Sequence, residues 1–223
     1  MSEPLADSRD MFAAHAMFRR EFGLMPGLVR TVTAGDEQRA ALVADHIALL
    51  SAVLNHHHMG EDDFVWPPLL ERCPREYAAI VHVMDDQHEV IHLGLAQVEE
   101  TAAAWRVGAS ADARDSLAAA LGRLIPVLKE HLALEEERVV PLIERYVTQA
   151  EYDRAVDGAA VETPPDKLAV VFGMFMYEAA PEIMNAVVAR MPAEVQPVIR
   201  DVAAEAYAAY AKELYGTATP GLA

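Results

Sequence analysis

Apolar residues recur at helical intervals through long stretches of the chain, and glycine is sparse inside them. Breaker residues cut this pattern into blocks. The first block runs from about Ser8 to Thr33, with a bend expected at Gly23, Pro26 and Gly27. Ala34-Gly35-Asp36 reads as a turn, with Asp36 as the N-cap of the next block. That second block runs to about Glu71 and is interrupted late by Pro67 and Pro68. Cys73-Pro74 marks the second turn, and a third block covers Arg75 to Arg106. Gly108-Ala109-Ser110 marks the third turn, and a fourth block runs from Ala111 to Tyr146, with Pro126 expected to bend it.

Short links force neighbouring helices to run antiparallel. The expected fold is therefore all-α: an up-down-up-down four-helix bundle over residues 1–147, followed by a C-terminal helical extension over 148–223. In the extension, Thr148 and Glu151 suggest a capping box that opens a short helix. A loop is expected from about Asp157 to Pro165. Two more helices are expected, over Asp166–Arg190 and Ala193–Tyr215, with Gly216 as the stop. No segment carries a strand pattern. Tyr207, Tyr210 and Tyr215 in the last helix are candidates either to pack against the bundle or to form a homodimer seam.

Composition agrees with helix and narrows the partners. Ala, Leu, Val and Glu dominate, and 53% of residues are hydrophobic, enough for a sizeable core. The 35 acidic residues outnumber 18 basic ones, giving a formal charge of −17. Such a surface repels phosphate backbones and anionic lipid, which argues against nucleic acid and membranes as partners. Cys73 is the single cysteine, so no internal disulfide can form. The N-terminal segment is polar and acidic, unlike a secretory signal, and the apolar run Leu168–Tyr177 is too short to span a bilayer. A cytoplasmic location is the expectation.

Two segments echo each other. HHMGEDDFVWPPLLER runs from His57 to Arg72, and HLALEEERVVPLIER from His131 to Arg145. Each opens with His-x-x-x-Glu, as His57/Glu61 and His131/Glu135, and continues through acids and Pro to Leu-(Leu/Ile)-Glu-Arg. Residues four apart on a helix lie about 40° apart around the axis and about 6 Å along it. An imidazole and a carboxylate so spaced can reach one metal, or one metal and a bridge to a second. His88 and His92 form another pair four apart on the third block, and His15 is the single histidine of the first.

In an antiparallel hairpin, residues at equal height are equidistant from the turn. The midpoints of His15/His57, His57/His88 and His88/His131 fall at positions 36, 72.5 and 109.5, all within turns assigned from Gly and Pro. His15, His57, His88 and His131 are therefore expected in one layer. A single interior histidine is usually a hydrogen-bonded core residue. Four at one level with two glutamates, buried without metal, would cost several kcal/mol in unpaired polar groups. His46, eleven residues before His57, is too far away to share the layer and reads as a core residue. His56 and His58 flank His57 by about 100° and are expected to face neighbours or solvent. His58/Asp62 is an alternative register for the His57/Glu61 pair. His82 lies off the His88 face.

These residues resemble the hemerythrin-like family, also called HHE cation-binding domains, over about residues 8 to 146. The resemblance implies a non-haem centre of two iron ions, oxo- or hydroxo-bridged, with Glu61 and Glu135 as bridges and His15, His57, His88 and His131 as terminal ligands. His92 matches a second third-helix histidine found in oxygen-carrying members. The fourth-helix carboxylate departs from the carriers, which use an aspartate five residues after the histidine where this chain has Glu135 four after it. That argues against reversible oxygen carriage.

The implied chemistry is binding or two-electron reduction of a small diatomic molecule or peroxide, catalase-like detoxification included. A histidine-rich set favours the ferrous state more than a carboxylate-rich one. Asp85 or Asp62 are candidates to orient the imidazoles. A non-enzymatic O2 or iron sensor or carrier is the alternative. A bundle with fortuitous histidines is a third reading, and metal content separates it from the other two.

Overall fold

The computed structural model describes residues 3–221, with the side chains of 157–162 outside the description. Its helices are α1 (Asp10–Thr31), α2 (Glu37–Phe64), α3 (Trp66–Arg72), α4 (Arg75–Arg106), α5 (Ala111–Arg138), α6 (Val140–Tyr146), α7 (Gln149–Glu162), α8 (Leu168–Met176), α9 (Pro181–Arg190) and α10 (Ile199–Tyr215). No strand occurs among the described residues; one isolated bridge pairs Leu5 with Thr148. None of the described helices is long and apolar enough to cross a membrane. The long helices α1, α2, α4 and α5 pack as a closed ring, each against its two neighbours. This is the up-down-up-down bundle, with further helices added at its end.

The turns form where their chemistry requires. Asp36 caps α2 by accepting the Arg39 N–H, and Ser110 caps α5 by accepting that of Ala113. Gly35 and Gly108 both take positive φ, which glycine adopts without steric cost. The first and third turns lie side by side, the Gly35 N–H donating to the Ala109 carbonyl at 3.0 Å. Neither Pro26 nor Pro126 interrupts its helix; both α1 and α5 run on through them.

The echoing segments share one local structure. In each, the ligand-bearing helix stops four residues past its glutamate, at Val65 after Glu61 and at Val139 after Glu135. Pro67, Pro68 and Pro141 lack the N–H needed to continue the helical ladder. They fall in the first turn of a new helix, where that N–H has no intrahelical partner anyway. Glu61 and Glu135 thus each sit in the last turn of a long helix.

The C-terminal region differs from the expected boundaries. The Thr148/Glu151 capping box is formed, but α7 continues to Glu162, so the expected loop from Asp157 shrinks to residues 163–167. The expected helix over Asp166–Arg190 is two, α8 and α9, because Pro181 starts a new helix. The last helix begins at Ile199, not Ala193, after a stretch that contains Pro192 and Pro197. Two glycines permit close packing here. A Cβ on Gly60 would lie 2.5 Å from the Ala155 carbonyl oxygen of α7, and one on Gly173 of α8 would lie 2.2 Å from that of Ala203 on α10.

The apolar core has two parts. One gathers Phe18, Phe22, Ile47, Leu54, Ile91, Trp105, Leu121 and Leu132, and takes in Met174 of α8 and Tyr207 of α10. The other gathers Met11, Val65, Trp66, Met84, Val139, Ile143 and Tyr152. At the boundary between the two parts lie His15 of α1, His57, His58 and Glu61 of α2, His88 of α4, and His131 and Glu135 of α5.

Candidate metal centre

His15, His88, His131, Glu61 and Glu135 are buried in that dividing layer, and His57 is largely so. Two groups of potential ligand atoms form there, each within 4.8 Å: His58, Glu61, His88 and His131 in one; His15, His57, Glu61 and Glu135 in the other. Helix α1 supplies one histidine, α2 two histidines and a glutamate, α4 one histidine, and α5 one histidine and a glutamate. The levelling read from the turns is what the structure shows.

Both glutamates face the two groups at once. Glu61 Oε1 lies 3.3 Å from His57 Nε2, and its Oε2 lies 3.4 Å from His88 Nε2. Glu135 Oε2 lies 3.4 Å from His15 Nε2 and 3.7 Å from His131 Nε2. His15 Nε2 approaches His57 Nε2 to 3.3 Å. None of the four glutamate oxygens, nor the Nε2 of His58, His88 or His131, makes a protein hydrogen bond of normal geometry, although all are buried. Buried polar atoms are almost always satisfied, so seven such atoms pointing inward fit a cation set among them.

The outward nitrogens are held. His15 Nδ1–H donates to Glu136 at 3.0 Å, and Glu136 is itself clamped by both terminal nitrogens of Arg19 at 2.6 and 2.9 Å. His88 Nδ1–H donates to Asp62 at 2.7 Å, and His131 Nδ1–H to Gln87 Oε1 at 3.1 Å. Fixing Nδ1–H this way turns Nε2 toward the interior, as metal-binding histidines require.

The carboxylates also set the charge of the metal-free layer. Burial disfavours charge on His15, but Glu135 and Glu136 outweigh it and raise its pKa to about 9. Burial likewise opposes charge on His88, and Asp62 and Glu61 raise it to about 10. His131 is lowered by burial to about 4. Burial and the neighbouring Glu135 raise Glu61 to about 8. Burial opposes ionisation of Glu135 too, yet His15 outweighs it and the carboxyl sits well below its ordinary range.

A family model, the hemerythrin HHE cation binding domain, matches residues 7–143. The chain belongs to the hemerythrin family. No curated protein and no solved structure matches it. The matched span covers every residue of the two ligand groups, and membership of this family makes the chain a metal-binding protein.

Six of the seven residues expected as ligands enter the two groups: His15, His57, Glu61, His88, His131 and Glu135. His92 does not. The buried seam of α4 passes through Val81, Met84, His88, Ile91 and Leu95; His92, four residues past His88 and about 40° around the axis from it, lies at the edge of that seam and is exposed.

His58 is the correction in the other direction. Expected to face neighbours or solvent, it is only 5% exposed and belongs to the first group, paired with Glu61 and not with Asp62. Glu61 lies about 40° from His57 and about 60° from His58 around the helix, on opposite sides. Glu61 therefore sits angularly between them, and each histidine serves a different group. The His-His pair preceding Glu61 carried that signal. Glu136 and Gln87 also escaped sequence reading, since nothing in spacing alone links residues on α5 and α4 to histidines of other helices.

His46 lies outside the centre, fully buried. The Tyr215 hydroxyl donates to Glu21 at 2.5 Å and so accepts from His46 Nε2–H at 3.1 Å; His46 Nδ1 then accepts from the Tyr210 hydroxyl at 3.1 Å. Glu21, fully buried, also accepts from Tyr207 at 2.6 Å and from Arg20 Nε at 2.9 Å. The three tyrosines of α10 therefore face the bundle.

Proposed function

We propose that this protein holds a non-haem di-iron centre that binds or reduces a small oxidant: O2, hydrogen peroxide or nitric oxide. The observation that carries the reading is Glu61, one carboxylate with an oxygen toward each ligand group. Such a carboxylate suits two adjacent cations better than one. Five imidazoles and two carboxylates are a borderline donor set suited to iron.

An iron pair, when bound, supplies two electrons and an open coordination position for a diatomic molecule or peroxide. The chain's own contributions are distinct from this. Glu136, Asp62 and Gln87 hold three imidazoles in fixed orientation. The apolar layers on either side exclude bulk water. Glu61 keeps a proton at neutral pH until a cation displaces it. His58 and His88 border a cleft, so a small molecule reaches the first group from one side.

The test is metal analysis after anaerobic ferrous loading, with absorption spectra before and after peroxide. Two irons per chain and a near-ultraviolet ferric band are expected. Far fewer than two irons, with no such band, would overturn the di-iron reading. Steady peroxide consumption would mark an enzyme, and a reversible spectral response to O2 without turnover would mark the carrier or sensor.

A further inference from the structure

A cleft of about 330 Å³ opens beside α4 and runs down to His58 and His88. Asp62 is partly buried beside His88, and Asp85, Asp86, Glu89 and His92, all four exposed, line the outer part. Asp85, Glu89 and His92 follow one another at steps of four and three on α4, which places them along one helix face. The cleft thus carries four carboxylates, and among the described residues no lysine or arginine lines it.

This charge does nothing for the expected oxidants. O2, hydrogen peroxide and nitric oxide are neutral, and a negative wall neither draws nor selects them. A cation, by contrast, is concentrated by converging carboxylates, and its arrival is accelerated. At the cleft floor the chain supplies a matching acceptor. His58 is 5% exposed, and its Nε2 makes no hydrogen bond within the protein. The imidazole of His92 at the rim adds a donor that favours a borderline ion over calcium or magnesium.

We propose that this cleft is the loading port of the centre. Asp85, Asp86, Glu89 and His92 form an outer station that captures a divalent transition-metal ion, and Asp62, His88 and His58 receive it at the floor. The proposal rests on the metal-centre reading, but it concerns the rate of filling and leaves the final content unchanged.

The experiment is stopped-flow uptake of Co(II) by metal-free protein, followed through the visible absorption of the bound ion. The variant Asp85→Asn/Asp86→Asn/Glu89→Gln is compared with wild type and with a control, Glu99→Gln/Glu100→Gln, whose acids are exposed on α4 outside the cleft. The triple variant is expected to reach the wild-type stoichiometry at least tenfold more slowly and to lose most of the salt dependence of the rate. His92→Ala is expected to slow uptake as well. Equal rates and equal salt dependence in the triple variant would overturn the port, as would equal slowing in the control. Failure of wild type to bind Co(II) at all would instead remove the metal-centre reading beneath it.

Discussion

Replacing Glu21 with alanine tests whether the C-terminal helices are locked to the bundle by one buried anion. Glu21 accepts from Arg20, Tyr207 and Tyr215, and both it and Arg20 are at most 2% exposed. Arg20 keeps Glu178, at 2.7 Å, and the Met174 carbonyl, at 2.8 Å, so its charge is only partly stranded. The Tyr215 hydroxyl keeps the hydrogen bond it accepts from His46 Nε2–H, 3.1 Å away, and loses the acceptor for its own proton. The Tyr207 hydroxyl likewise loses its acceptor, and an orphaned buried donor costs about 1–3 kcal/mol. Breaking a buried ion pair by removing one partner costs about 3–5 kcal/mol when the other charge is left alone. With Arg20 partly rescued, the expected loss is about 4 kcal/mol, or about 8–16 °C in Tm for a chain of this size. The assay is urea unfolding followed by circular dichroism, with metal content measured in parallel. Glu21 is six residues from His15, roughly 9 Å along α1, so metal content is expected to hold. A stability loss below about 1 kcal/mol would refute the lock. Loss of metal equal to that of a site variant would show that the two clusters are one unit.

Further outcomes follow from the same geometry. His131→Ala is expected to lose bound metal, while His46→Ala keeps it; equal loss would contradict the layer assignment. Glu136→Gln, which also loosens the Arg19 pair, and Asp62→Asn are expected to weaken metal binding about 10–100-fold by competition titration, with little change in fold. Gly60→Ala forces its new methyl to within 2.5 Å of the Ala155 carbonyl, so α7 must shift away from α2, and a lowered Tm with faster proteolysis of α7 is expected. At pH 7 metal-free His15, His88 and Glu61, with pKa values raised to about 9, 10 and 8, carry protons that a metal must displace. Binding is therefore expected to release protons and to strengthen as pH rises from 6 to 9. Calorimetry in buffers of different ionisation enthalpy measures this, and a pH-independent affinity would refute it.

The bundle and the height of the centre were legible because both depend on local signals. Gly35, Cys73-Pro74 and Gly108 mark the turns, and counting outward from them brings the histidines to one level. The ligand choice within a turn of helix was less legible. His58 and His92 differ from their neighbours only by how far the helix is rotated, and that rotation is decided by packing of the whole seam. The partners of Nδ1 were less legible still, because Glu136, Asp62 and Gln87 reach across to other helices. The C-terminal boundaries slipped at two prolines: Pro181 opens a separate helix inside the one expected over Asp166–Arg190, and the last helix starts at Ile199, past Pro197, while the break at Pro192 was legible.

The division of the core into two apolar bodies has a consequence for how the molecule comes apart. A slab of imidazoles and carboxylates separates them, and without a cation seven buried polar atoms of that slab make no hydrogen bond. Stripped of metal, the protein is expected to yield first along this line, with the Trp66–Ile143 end opening as its own cooperative unit. A bound cation closes that line from within and fuses the two bodies into a single melting transition, so cofactor occupancy sets the number of folding units.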